Sequence, residues 1–293
     1  MFRFAEFCTI WRRQAWSDGT ATGRSSARLE RLLWEQEVAG SNPVAPTNAY
    51  NPSRNRMDPI LPLSAKRTAL FLAVVSFGIV LTGWIIQYLA YVASPVDFRP
   101  YEAQGLARLF NLGGTANIPT WYKAVLLMFA SVALFFVFLL SRRQRDPFSR
   151  YWRDLGVIFF ALSIDEVAVI HRGIGRAITT MLETRGVLFF GWVILATVFV
   201  VLLVVVYARF LRSLPVMPRW LFIGSGSVYV LGALIMKYVE GWYVTSIGRL
   251  DVLYITLTAG RQLFQMIGVV VFLYALLSYL RHNTDADLIR IYH

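Results

Sequence analysis

The chain has 293 residues, 57% of them hydrophobic and 15% aromatic, and only 16% are charged, against about 25% in a typical soluble domain. Its formal net charge of +12 comes without a nucleic-acid-binding motif, and its single cysteine, Cys8, excludes a disulfide framework or a thiolate metal cluster. These numbers describe an integral membrane protein whose first partner is the lipid bilayer.

Residues 1–56 hold eight arginines and no apolar run of membrane length. They are expected to form a disordered extension, apart from a short helix at 27–38. Gly40, Ser41, Asn42 and Pro43 back-translate to codons that match the T-arm of a transfer RNA gene. The extension is therefore also readable as the product of a start placed too early, with translation beginning at Met57. N-terminal sequencing of the native protein distinguishes the two, and native peptides from residues 13–54 would exclude the second.

From Met57 the pattern becomes regular. Ser64 can cap a first span at 68–93, longer than the roughly 20 apolar residues a crossing needs. Leu106, Leu109 and Phe110 in the following loop have the spacing of a short interfacial helix. Pro119 opens a second span at 121–140, with Trp121 and Tyr122 as belt aromatics. A third is expected at 152–174, a fourth and almost wholly apolar one at 187–210, a fifth at 220–243 and a sixth from Asp251 to Leu280.

Six spans put both termini on one side. That side carries twelve lysines and arginines against seven on the other, which places it in the cytoplasm. The expected fold is thus an all-α membrane bundle of about six helices over residues 57–283, with a short cytoplasmic tail at 284–293.

The chemistry sits in the third, fifth and sixth spans. Charge in hydrocarbon costs at least a few kcal/mol unless it is shielded, so Asp165 and Glu166 cannot both face lipid. On a continuous helix Asp165 shares a stripe with Arg172 and Arg176, while Glu166 lies about 60° from Ser163. With this topology Asp165, Glu166, His171, Lys237, Glu240, Arg261 and Gln265 occupy one depth band in the outer half. They are expected to line a pocket there, with Glu240 and Arg261 paired across helices and Lys237 meeting Glu240 at i,i+3. Gly260 and Gly268 would admit a close neighbour to that face. In this reading Asp165 is the partner of the basic groups, Glu166 exchanges protons or contacts a ligand under the direction of Ser163, and His171 is a titratable group at the mouth. The bland alternative is that all are structural polar groups, with Lys237 and Glu240 snorkelling at a helix end. Glu166 and His171 are five residues and about 140° apart on a continuous helix, which does not bring two ligands to one ion. No metal is therefore assigned.

The run S-x-D-E-x-x-x-x-H at Ser163 to His171, preceded by ANIPTWY at Ala116 to Tyr122, resembles a group of uncharacterised bacterial multi-pass membrane proteins. The resemblance covers about residues 106–280, through Asn117, Pro119, Thr120, Trp121, Ser163, Asp165, Glu166, His171 and Gly268. Thr115, Arg172, Arg261 and Gln265 stand where that group carries acids. The resemblance implies a bacterial inner-membrane location and supports the same pocket residues, but implies no reaction or cofactor. The function expected is that of a multi-pass protein whose polar pocket binds a small polar or lipid ligand. A metal-dependent intramembrane hydrolase and a small proton-coupled transporter are the alternatives.

Overall fold

The computed structural model describes residues 64–93, 105–182, 189–248 and 250–291, without the side chains of 182 and 282–291. The expectations for residues 1–56, including the helix at 27–38 and the start at Met57, lie outside the described residues.

Every regular element among the described residues is helical: α1 (Ala65–Ala93), α2 (Gly105–Leu109), α3 (Ile118–Arg143), α4 (Ser149–Ala168), α5 (Ile170–Leu182), α6 (Trp192–Ser213), α7 (Val216–Val230), a π turn (Leu231–Ile235), α8 (Met236–Ile247) and α9 (Val252–Ile291). Among the described residues five stretches are long and apolar enough to cross a membrane: Ala65–Ala93, Ile118–Arg143, Trp192–Ser213, Val216–Ile247 and Val252–Arg281. The 20 residues of α4 reach about 30 Å, the thickness of the hydrocarbon core. Arg150, Arg153, Asp154, Asp165 and Glu166 make it too polar to join the five.

The expected single helix at 152–174 is two. α4 ends at Ala168, Val169 adopts a left-handed conformation (φ 59°, ψ 33°), and α5 starts at Ile170. No glycine or proline marks the break, and left-handed backbone disfavours a β-branched residue. The junction is held instead by hydrogen bonds. The Val169 amide donates to the Asp165 carbonyl at 2.7 Å, and the His171 amide to the Asp165 carboxylate at 2.8 Å. The last helix also departs from expectation, running beyond Leu280 to Ile291, in a segment with no glycine or proline to stop it.

Elsewhere the helix ends follow local signals, of which Pro119 and Asp251 are legible in the sequence. Asn117 caps α3, its side chain accepting the Thr120 amide at 2.9 Å, with Pro119 in the first turn. Asp251 caps α9 by accepting the amides of Leu253 and Tyr254, both at 3.1 Å. Gly248, at φ 67°, closes α8.

α3 and α4 form a hairpin, and α9 packs against α1, α3 and α7 at the centre of the bundle. In lipid there is little hydrophobic drive between helices, so association depends on close contact. The buried faces of α3 (Leu126, Leu127, Leu134, Val137) and α9 (Met266, Val269, Leu273, Leu276) supply it. A Cβ on Gly232 would come within 2.8 Å of the Gln265 amide of α9, and one on Gly268 within 2.7 Å of the Tyr229 amide of α7. Gly260 has no such role, since its nearest neighbour is the Met236 Cε at 3.5 Å.

α6 is attached differently. Near its start, Trp192 meets the His171 ring edge-on and Thr197 bonds the Tyr238 hydroxyl at 2.7 Å. Near its end, Tyr207 donates to the Tyr151 carbonyl and Phe210 packs on Trp152. Between these fastenings a cavity separates it from its neighbours.

Candidate functional site

The site begins with the loop before α3. The Asn111 side chain accepts the amides of Gly113 and Gly114 at 3.0 and 3.1 Å, and the Asn117 side-chain amide donates to the Asn111 carbonyl at 2.7 Å. This folding carries Leu112, fully buried, into the bundle against Gly83. Its carbonyl would be an unpaired acceptor there. Arg261 and Gln262 of α9 satisfy it at 3.1 and 2.7 Å, and Arg172 of α5 donates to the Gly113 carbonyl at 3.2 Å.

Three ionic groups surround the loop. Glu240, 0% exposed, accepts from Arg261 Nε at 2.6 Å with one oxygen and from Lys237 Nζ at 2.7 Å with the other. Lys237 also stands 3.7 Å over the Phe190 ring, a cation–π contact that keeps its ammonium compensated. Lys123 of α3, equally buried, meets Glu166 of α4 at 3.0 Å and donates to Gln262 and Gln265 of α9. Asp165 holds His171 by Nδ1 at 2.6 Å as well as by the backbone.

A cavity of about 680 Å³ runs from these groups down the inside of α6. Lys123, Asp165, Glu166, His171, Arg261 and Gln265 line one end. Leu155, Phe159, Leu162, Phe199, Leu203 and Phe272 make the middle apolar, and Arg212 and Arg219 stand at the far end. The polar end can donate, accept and exchange protons, while the middle can hold only hydrocarbon.

A family model described as a domain of unknown function, DUF8692, matches residues 68–280 of this chain. The chain belongs to that family. No curated protein and no solved structure matches it. The DUF8692 stretch begins in α1 and ends in α9, so it contains the loop, the ionic groups and the whole cavity wall.

The DUF8692 bundle gathers most of the residues singled out from the sequence, with different assignments. The Glu240–Arg261 contact and the Lys237–Glu240 contact both form. Neither Lys237 nor Glu240 lines the cavity: Lys237 turns to Glu240 and the Phe190 ring, and Glu240 to Arg261 and Lys237. Ser163 is also away from it: its hydroxyl donates to the Ala124 carbonyl at 2.8 Å, tying α4 to α3, and does not direct Glu166. Asp165 is paired with His171 rather than on a stripe with Arg172 and Arg176, because the break at Val169 rotates α5 relative to α4. Among the described residues no group of three or more His, Cys, Asp and Glu side chains is placed to hold a metal ion. The residue that sequence reasoning missed is Lys123. It lies two positions after Trp121, where a cation reads as an orientation signal; only its partners across two helices show that it points inward.

Proposed function

We propose that this DUF8692 protein is a bacterial inner-membrane protein of six crossings with both termini in the cytoplasm, and that the polar end of its cavity binds a small polar ligand in the outer half of the bilayer. The sixth crossing is α4, which pairs with α3 and has the length of the hydrocarbon core. The observation that carries the reading is the meeting of Glu166 and the Asp165–His171 pair, partly exposed at 16%, 27% and 27%, at one end of one cavity. Lys123 and Arg261 lie beside them. Groups of both signs favour a ligand that both donates and accepts, zwitterionic or hydroxyl-bearing, over a simple anion. Glu166 contacts it, Lys123 is the counter-ion of Glu166, and Asp165 orients the imidazole of His171 so that Nε2 is free to exchange a proton.

An untargeted mass-spectrometric search of the purified full chain tests this. A polar molecule should be retained by the parent protein and lost from Glu166→Gln while that variant remains folded and monodisperse. Retention by both would remove Glu166 from the site. The proton-coupled transporter is a second reading, favoured by the exchangeable groups at the same cavity end. It requires pH-dependent flux in proteoliposomes that Glu166→Gln abolishes. The metal-dependent hydrolase has no donor set among the described residues.

A further inference from the structure

The far end of the cavity has a different character. Arg212 from the last turn of α6 and Arg219 from the first turns of α7 both line it, and the acids that line the cavity, Asp165 and Glu166, are at the opposite end. Arg219 is held in place by donating Nη2 to the carbonyls of Arg212 and Leu214, both at 2.7 Å. Its Nε is buried and has no hydrogen-bond partner among the described residues, a donor left waiting for an acceptor. Asp154 of α4, the acid nearest this end in the sequence of that helix, is engaged by Arg153 at 2.8 Å.

From the arginines the cavity leads into the apolar limb. Trp152 and Glu166 both line the cavity, and the step of about 14 residues from one to the other on α4 corresponds to about 21 Å at 1.5 Å per residue. An acyl chain of one leaflet spans about half of the roughly 30 Å core. It therefore fits within the limb and stops short of the charged groups.

We propose that the far end of the cavity is a site for an anionic phospholipid of the adjacent leaflet, its phosphate bound by Arg212 and Arg219 and one acyl chain lying between α4, α6 and α7. A planar guanidinium suits a phosphate. A soluble anion would leave the limb unfilled, and an uncharged amphiphile would leave Arg219 Nε unpaired. The site is separate from the polar ligand site and does not depend on it.

Native mass spectrometry of the full chain in detergent, titrated with phosphatidylglycerol or with diacylglycerol, which has the acyl chains but no phosphate, tests the proposal. Phosphatidylglycerol should bind about tenfold or more tightly than diacylglycerol, as expected for one or two charge-assisted hydrogen bonds to the phosphate. Arg212→Gln, an exposed position, and Arg219→Lys, which keeps the charge but loses Nε–H, should each weaken phosphatidylglycerol and leave diacylglycerol unchanged. Gly226 lines the limb, and a Cβ there meets nothing within 4 Å. Gly226→Leu should therefore exclude the chain with both arginines intact and with an unchanged melting temperature. Equal binding of the two lipids, or parental binding by Arg212→Gln and Gly226→Leu, would overturn the proposal. Thermal stabilisation by inorganic phosphate equal to that by phosphatidylglycerol would identify a soluble anion and overturn it too.

Discussion

Glu240 is the residue on which the charges behind the cavity depend. It is fully buried between two cations, and a buried ion pair that loses one member leaves the other uncompensated, at a cost of about 3–5 kcal/mol. Glu240→Gln should lower thermal stability in detergent by a shift of that order, while Ser163→Ala, which removes one neutral hydrogen bond, should cost about 1 kcal/mol. The sequence made the Glu240–Arg261 pair legible because a carboxylate and a guanidinium deep in adjacent spans have few other ways to be shielded. It could not show the acceptor of Arg261 Nη2. That is the Leu112 backbone carbonyl, and a main-chain acceptor carries no side-chain signature. Lys123 was hidden for a related reason, since depth along a helix is readable but the direction in which a cation turns is set by the neighbouring helices.

At the scale of the elements, the joint at Val169 is the feature that apolar periodicity did not reveal. Left-handed backbone at a residue with a Cβ costs about 1–2 kcal/mol, so Val169→Gly should leave stability unchanged or raise it by up to about 1 kcal/mol, read from thermal unfolding. Asp165→Asn in the Val169→Gly background should then be tolerated better than alone, because the carboxylate no longer has to hold a strained turn. The Asp251 cap was legible, and it gives a pH test. Burial pushes its carboxyl up, but the Tyr243 hydroxyl and the amides of Tyr254 and Leu253 outweigh that and hold it below the usual carboxylate value. A depressed pKa contributes stability above the unfolded value of about 3.9 and loses it as pH falls through the lower folded value. Asp251→Ala should accordingly cost about 1 kcal/mol at neutral pH, and its difference from the parent should shrink in unfolding experiments below about pH 4.

Across the whole described bundle, the apolar runs were read well because a backbone in hydrocarbon must satisfy its own hydrogen bonds, and helices do so. α4 is where that reading and composition part, being long enough to cross yet carrying five charges. Single cysteines at Arg143 and Met181, both exposed, in a Cys8→Ser background decide whether it crosses. If it does, a membrane-impermeant maleimide should label the Arg143→Cys variant from the cytoplasm and the Met181→Cys variant from outside. Labelling from the same face would reduce the crossings to five.

α6 is pinned near its two tips, and between them it borders the cavity with Leu203 resting on the core, so it resembles a rod clamped at both ends. Such a rod can bow sideways without unwinding a turn. If a lipid enters the hollow from the side as proposed, the flexing of that one rod would suffice, with no helix melted.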